Sequence, residues 1–488
     1  MKKYFLLATV LLVAMLFCAC QANPSKDIVK SKNDGAFERS IVQKSAQNKA
    51  TNDFLLTKNG LFFSTDESVT FTWNINQSIN MGSMPVLEAI PHFFTGNDVE
   101  HITKALFDEN ANFYDLGPVT KRQLSKTQIQ EKIHVLSQYV SEDKLLELMG
   151  EEANIENVKF WLEHYTVAYE TAPEKPSYKK CDWTLKPLQY YEDSGHSLDS
   201  KSQGLFATTT VNGYSYLVRT YVHNDSDYTR NELFITLGDG DDPTYVQKTA
   251  DIAKLCCTDE PTEAQITFVK NKTQNMLSSM GLCDYVLADV SVEKQFFGEK
   301  PAYQIRLEAV PTFDGIPTLY GDFGRSYTAE ELYNSSYAVG RTQLFFSANG
   351  DLISCGITNP VEVKDVINQN VSTLPIEELT ERAQMHMSLY DAQSLDRFTG
   401  NAMMLEALTG RSIDSMDCKV EINGVEYGLG RFPVADSNSF YYAPAIVFYG
   451  TIDYCDKNSG EVITGTGNPY GTRLQSLVVI NAVDGTIY

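Results

Sequence analysis

Val211-Asn212-Gly213-Tyr214-Ser215-Tyr216-Leu217-Val218 sets an Asn-Gly pair directly before a run of aromatic and β-branched residues. A type I′ turn needs positive φ at both central residues, which Asn-Gly and Asp-Gly tolerate best. The stretch therefore predicts a β-hairpin. The same signal recurs at Asn59-Gly60, Asn349-Gly350, Asn423-Gly424 and Asp484-Gly485. The flanking runs Leu61-Phe62-Phe63, Gln343–Phe346 and Leu477–Ile480 have the composition of strands.

Helical patterns lie between these hairpins. Ile129, Ile133, Leu136 and Val140 recur at helix spacing, as do Ile155, Val158, Leu162 and Tyr165. Thr262 with Gln265 forms a capping box that opens a helix closed by Gly281, and Thr328 with Glu331 repeats the signal. Pro375 opens a helix running to about Tyr390. Helices and hairpins alternate in blocks, without the βαβ rhythm of a doubly wound parallel sheet. The expected class is α+β, with several small units of antiparallel sheet and packed helices behind a signal peptide and tether.

The N-terminus supplies an address. Lys2 and Lys3 precede an apolar run from Tyr4 to Ala19, followed by Cys20. This is the layout of a secretory signal with a cysteine placed for lipidation. Small Cys18 and Ala19 precede Cys20, whereas Phe17 is a bulky −3 residue. Ordinary cleavage near Ala22 is the alternative. An uncleaved span is a third, but sixteen residues rise only about 24 Å against a hydrocarbon core of roughly 30 Å. Lipidation at Cys20 would anchor the chain to the outer face of the cell membrane, extracytoplasmic. The stretch from Gln21 to about Asn52 is polar and poor in large apolar residues, as a flexible tether is.

These signals divide the chain into a signal peptide (1–19), a lipidated cysteine and tether (20–52) and three units. The units are an N-terminal α+β unit (53–180), a β-rich middle unit (181–370) and a C-terminal α+β unit (371–488). Pro173, Pro176 and Pro187 mark the first joint and Pro360 to Pro375 the second. Phe346–Ile353 and Ile480–Ile487 echo each other as strand, small residue, turn and strand. Duplication and shared turn chemistry both account for that echo.

The formal net charge of −23, two units more negative without Lys2 and Lys3, argues against binding driven by phosphate contacts to nucleic acid. Of nine cysteines, Cys181, Cys256, Cys257, Cys283, Cys355, Cys418 and Cys455 remain after the signal. That odd, irregular set shows neither a disulfide framework nor a CxxC site. Adjacent Cys256-Cys257 reads as core packing, with a bridge from one of them to Cys283 as the alternative.

Several short motifs carry a resemblance. Cys20-Gln21, Pro24–Val29, Asp34-Gly35, Met84-Pro85-Val86 before Pro91, and the ending Val479–Gly485 resemble a family of uncharacterised Firmicute cell-surface lipoproteins. That family has no assigned activity and implies no site residues. The ending, with Tyr442-Ala443-Pro444-Ala445, also resembles PepSY-like domains and accessory regulators of a cell-wall histidine kinase. Ala445 stands where that pattern often has Trp. The resemblance implies a helix on a small antiparallel sheet and binding or inhibition of extracytoplasmic proteins, without catalysis.

Catalytic patterns are sparse. The histidines form neither HxH nor HExxH, and His92 and His101 read as structural. Gly195-His196-Ser197-Leu198-Asp199 lacks the last glycine of a nucleophile elbow. Gly238–Asp242 lacks the spacing of an EF-hand loop and reads as a solvated acidic turn. Tyrosines at 190–191, 214, 216, 221 and 441–442 read as core or as a binding platform. No catalytic, metal or cofactor-binding residue is expected. The leading expectation is a non-enzymatic, lipid-anchored binding or regulatory protein meeting an envelope protein or peptide. A hydrolase of wall sugar or peptide and a solute-binding lipoprotein are the alternatives.

Overall fold

The computed structural model describes residues 53–488 apart from 83, 108–110, 118–122, 151–152, 176–178, 192–200, 225–228, 239–243, 282–284, 298–299, 320–340, 392–394, 396–415, 435–438, 461–474 and 488. The chain opens with strands β1 (Asp53–Phe63), β2 (Val69–Asn80) and β3 (Met84–Pro91). Helix α1 (Gly96–Leu106) and strand β4 (Tyr114–Asp115) lead to α2 (Lys126–Gln138), α3 (Glu142–Met149) and α4 (Ile155–Thr171). Short strands β5 (Lys179–Lys180) and β6 (Lys186–Pro187) precede a meander of β7 (Gln203–Val211), β8 (Tyr214–Asn224) and β9 (Thr229–Leu237). Helices α5 (Val246–Leu255) and α6 (Glu263–Ser279) follow. Then come β10 (Tyr285–Phe297), β11 (Lys300–Phe313), β12 (Ile316–Pro317), β13 (Arg341–Phe346) and β14 (Leu352–Thr358). The chain ends with β15 (Val361–Val371), α7 (Ile376–Met387), β16 (Met416–Pro433), β17 (Phe440–Asp456) and β18 (Gln475–Asn481). The protein is α+β, as its hairpins and capped helices predict.

These strands form two sheets. The first runs β1-β2-β16-β17-β3-β15, with β18 also on β17; the second runs β10-β11-β13-β14-β9-β8-β7-β4-β5, with β12 on β11 and β6 on β7. Every strand pair is antiparallel except β2 with β16, which align Val69 with Cys418. Pairing thus joins the start of the chain to its end, across the sequential boundaries at 180 and 370. The second sheet belongs to a passage between β3 and β15, inserted into the first.

Turn chemistry accounts for part of this order. Asn212 and Gly213 have φ of 53° and 82° between β7 and β8, the expected two-residue hairpin turn. Asn349-Gly350 and Asp484-Gly485 also lie in turns, closed by Gly350 N–H to Ser347 O and Gly485 N–H to Asn481 O. Asn59-Gly60 and Asn423-Gly424 are corrected: both lie within long strands. Gly60 pairs with Trp73 in mid-strand, and Gly424 sits at a β-bulge in β16. The turn from β1 to β2 instead uses Asp66, which accepts from Ser64 Oγ and Ser68 Oγ, and Glu67 at φ 61°.

Strand periodicity positions the core. In β2, Val69, Phe71, Trp73 and Ile75 are buried at alternate positions and point at α7. Helix α7 answers with Ile376, Leu379, Ala383 and Met387 on one face. Burying each of the larger of these side chains contributes roughly 1.5–3 kcal/mol. The β11–β12 hairpin meets the first sheet on β16, beyond the residues that pair with β2, where Leu319 N–H donates to Leu429 O. Phe313 packs on Tyr442 with ring centroids 4.8 Å apart, and Thr318 bridges to Leu429. At Gly428 a Cβ would stand 3.2 Å from Pro317 O, so the hairpin approaches where the sheet lacks side chains.

In the second sheet, one face packs against α1 and α6 through Val99, Ile102, Val269 and Leu277. Helices α2 to α5 form a separate layer around Ile129, Leu136, Leu145, Val158 and Tyr165. Buried Asn231 ties the two passages between the sheets. Its Nδ2 donates to His92 O at 2.5 Å, its Oδ1 accepts from Phe94 N–H at 3.0 Å, and its carbonyl accepts from Asn359 N–H at 2.8 Å.

Candidate functional site

The structure first sorts the residues singled out in the sequence. Cys20 and the tether, Gly195–Asp199, Asp239–Asp242, Cys283 and Thr328 with Glu331 lie outside the described residues. His92 sits beside Asp98 (3.2 Å) and Glu362 (3.4 Å) next to the Asn231 junction, while His101 packs near Gly281. These two histidines therefore serve different contacts. Tyr191, Tyr216 and Tyr442 are core residues: Tyr191 stacks on Phe206, and Tyr216 donates to Leu352 O. Cys256 and Cys257 are free thiols. Burial pushes the Cys181 thiol up to about 11 and those of Cys256 and Cys355 up to about 12, so they stay protonated and unreactive.

Paired carboxylates occur, but in a closed network. On the face of the second sheet away from α1 and α6, Arg306 Nη1 donates to Glu293 Oε1 at 3.0 Å and Nη2 donates to Glu308. Gln304 donates to Glu293 at 3.0 Å and Gln343 to Glu308 at 3.2 Å. Both carboxylates are almost wholly buried. Each accepts from the same guanidinium, and neither stands open as a general acid or base. Among the described residues no three His, Cys, Asp or Glu side chains cluster as metal ligands.

An open cavity of about 360 Å³ lies instead where α4 and α5 begin. Met149, Val158 and Ile252 form its apolar wall, and Asn154, Asn157, Thr244 and Thr249 supply amide and hydroxyl groups. Among the described residues Lys248 is the sole charged side chain lining it. The sequence builds this arrangement from two helix starts. Asn154 caps α4, its side chain accepting from Asn157 N–H at 3.0 Å. Helix α5 starts at Tyr245 without a side-chain cap, and Thr244 Oγ1 accepts from Val246 N–H only at 3.4 Å.

Tyr245 is left-handed at φ 58° and 63% exposed. For a residue other than glycine this conformation costs roughly 1–2 kcal/mol, and here it sets an aromatic ring beside the cavity. The starts of α4 and α5 and the Lys248 ammonium group face the cavity, beside the C-terminal end of α3 at Met149. The chemistry available is recognition of a carbonyl, carboxylate or similar oxygen against an apolar wall. The apolar helical pattern before Cys256-Cys257 marks α5 in the sequence, but not the cavity at its start. Val246, Ala250 and Ala253 at helical spacing were the signal for α5.

No protein-family model matches the chain, and no curated protein matches it. Among solved structures, an uncharacterized protein from Eubacterium rectale ATCC 33656 aligns over 92% of this chain and 96% of its own. Its identity is 10% and its TM-score 0.32, a likeness too distant to transfer fold or function.

Proposed function

We propose that the chain is a lipid-anchored extracytoplasmic binding protein, held through Cys20, whose helical layer takes a small anionic ligand between α4 and α5. The cavity lined by Asn154, Asn157, Tyr245 and Lys248 carries this reading: its volume falls within the range of small-molecule sites, and among the described residues its only charge is positive. The hydrolase alternative draws no support from Glu293 and Glu308, since Arg306 engages both. The resemblance to PepSY-like proteins points the same way, toward binding without catalysis.

Calorimetric titration with inorganic phosphate and with acetate tests the site. Binding of either probe should weaken at least tenfold in Lys248→Met and in Asn157→Ala, with an unchanged melting temperature. Failure of both probes to bind, or equal affinity in Lys248→Met, overturns the reading of the cavity. The anchor is tested separately: Cys20→Ala should move the protein from the membrane fraction to the medium, and unchanged retention refutes lipid attachment.

A further inference from the structure

Strand β1 is an outer margin of the first sheet. Its eleven residues pair with β2 along one edge, from Asp53 opposite Asn80 to Phe63 opposite Thr70, and among the described residues no strand pairs with the other edge. Its face turned from α7 shows Leu55, Leu61 and Phe63, 63%, 66% and 55% exposed. Their cross-strand neighbours are Ser78, Thr72 and Thr70, which leave these side chains without apolar cover from β2. An edge of this length and composition is a template for strand addition.

From these features we infer that the free edge of β1 is the contact surface for a second copy of the chain. The two β1 strands pair antiparallel about a two-fold axis through Asn59. Side chains opposite one another must share a face, so a two-fold axis has to pass through a residue position. An axis through Lys58 would set two ammonium groups directly opposite, an unfavourable pairing. Through Asn59, Lys58 faces the partner's Gly60, Leu55 faces the partner's Phe63 and Leu56 faces the partner's Phe62. Leu55 and Phe63, which β2 leaves uncovered, thereby cover each other, and Leu61 faces the partner's Thr57.

Charge favours a copy of this chain over an unrelated segment. The protein carries a formal charge of −23, yet from Phe54 to Phe63 there is no acidic side chain. Two copies can meet along that strand without bringing carboxylates together. The strand is also its own complement in hydrophobicity, which an arbitrary peptide would have to reproduce.

Cross-linking tests the contact and its register in the mature chain in non-ionic detergent, with Cys257 and Cys283 replaced by Ser. Asn59→Cys should form a disulfide dimer under mild oxidation, and Lys58→Cys should do so at least fivefold less. In light scattering, Leu61→Lys with Phe63→Lys should raise the dimer dissociation constant at least tenfold while circular dichroism and melting temperature stay unchanged. A monomer at 100 µM without cross-linking at Asn59, or stronger cross-linking at Lys58, overturns the pairing. A photo-cross-linker at position 59 that captures a different protein in cells also overturns it, and assigns the edge to a peptide partner.

Discussion

The two sheets put polarity in different places. In the first, β17 is buried on nearly every residue from Phe440 to Phe448: Ile446 and Phe448 pack in the core with α7, and Ala443, Ala445 and Val447 pack with Leu319, Val371 and Val483. In the second, β11 alternates: Ile305, Leu307 and Ala309 join the core, while Gln304, Arg306 and Glu308 turn to the opposite face. A row across that face runs Phe206, Arg219, Phe234, Gly356, Gln343, Glu308 and Asp289. A sheet covered twice can be apolar throughout, whereas a sheet with a polar face must neutralise what it buries there. The Arg306 network does so with side chains from two adjacent strands, β10 and β11, and Gln343 from β13.

The contrast is broken most severely at Arg306. Arg306→Met leaves Glu293 and Glu308 buried without their cation and should cost about 3–5 kcal/mol in urea unfolding. Ile446→Ala, in the doubly covered sheet, should cost roughly 3 kcal/mol, from lost burial and an unfilled space. Glu426→Gln sharpens the comparison within the first sheet. Burial raises the Glu426 carboxyl above its ordinary 4.5, and the hydrogen bond from Tyr449 Oη at 2.6 Å opposes that only in part. A raised carboxyl favours folding at low pH, and that contribution is lost as pH rises from about 4.5 through the raised value. Glu426→Gln should therefore melt higher than the parent at pH 7 and match it near pH 4. The smallest change is expected for Glu293→Gln, Arg306→Met and Glu308→Gln combined, within about 1 kcal/mol of the parent, since removing a whole buried ion network is often neutral. A loss equal to that of Arg306→Met alone would mean the network does more than neutralise itself.

Local chemistry was legible in the sequence where one short motif decides the outcome. Thr262 and Gln265 form the reciprocal cap that opens α6, and Gly281 follows it at φ 70°. Asn212-Gly213 makes its hairpin because both residues adopt positive φ. Asn59-Gly60 shows the limit: glycine also serves extended backbone, and cross-strand pairing with Asn74 and Trp73 overrides the turn preference. Asp314-Gly315, at φ 50° and 77°, carries the matching hairpin signal between β11 and β12. The union of β2 with β16 was beyond reach, because nothing local in Val69–Trp73 indicates a parallel partner at Cys418–Ile422. The cavity was hidden for a related reason. Asn154 and Lys248 are ordinary surface residues in sequence, and only the packing of α5 against α2 and α3, with the start of α4 alongside, makes them neighbours.

The doubled crossing at Asn231 has a consequence for ancestry. Pro91 lies directly opposite Val361, and His92 N–H donates to Pro360 O at 2.8 Å. The two ends of the inserted passage are thus adjacent rungs of one antiparallel ladder, where a turn of a few residues could replace everything between them. The first sheet has the form of a host whose β3–β15 hairpin loop was opened to admit a guest. The guest has since become part of the host's core, because Phe313 and Leu319 of the inserted passage pack on β17 and β16.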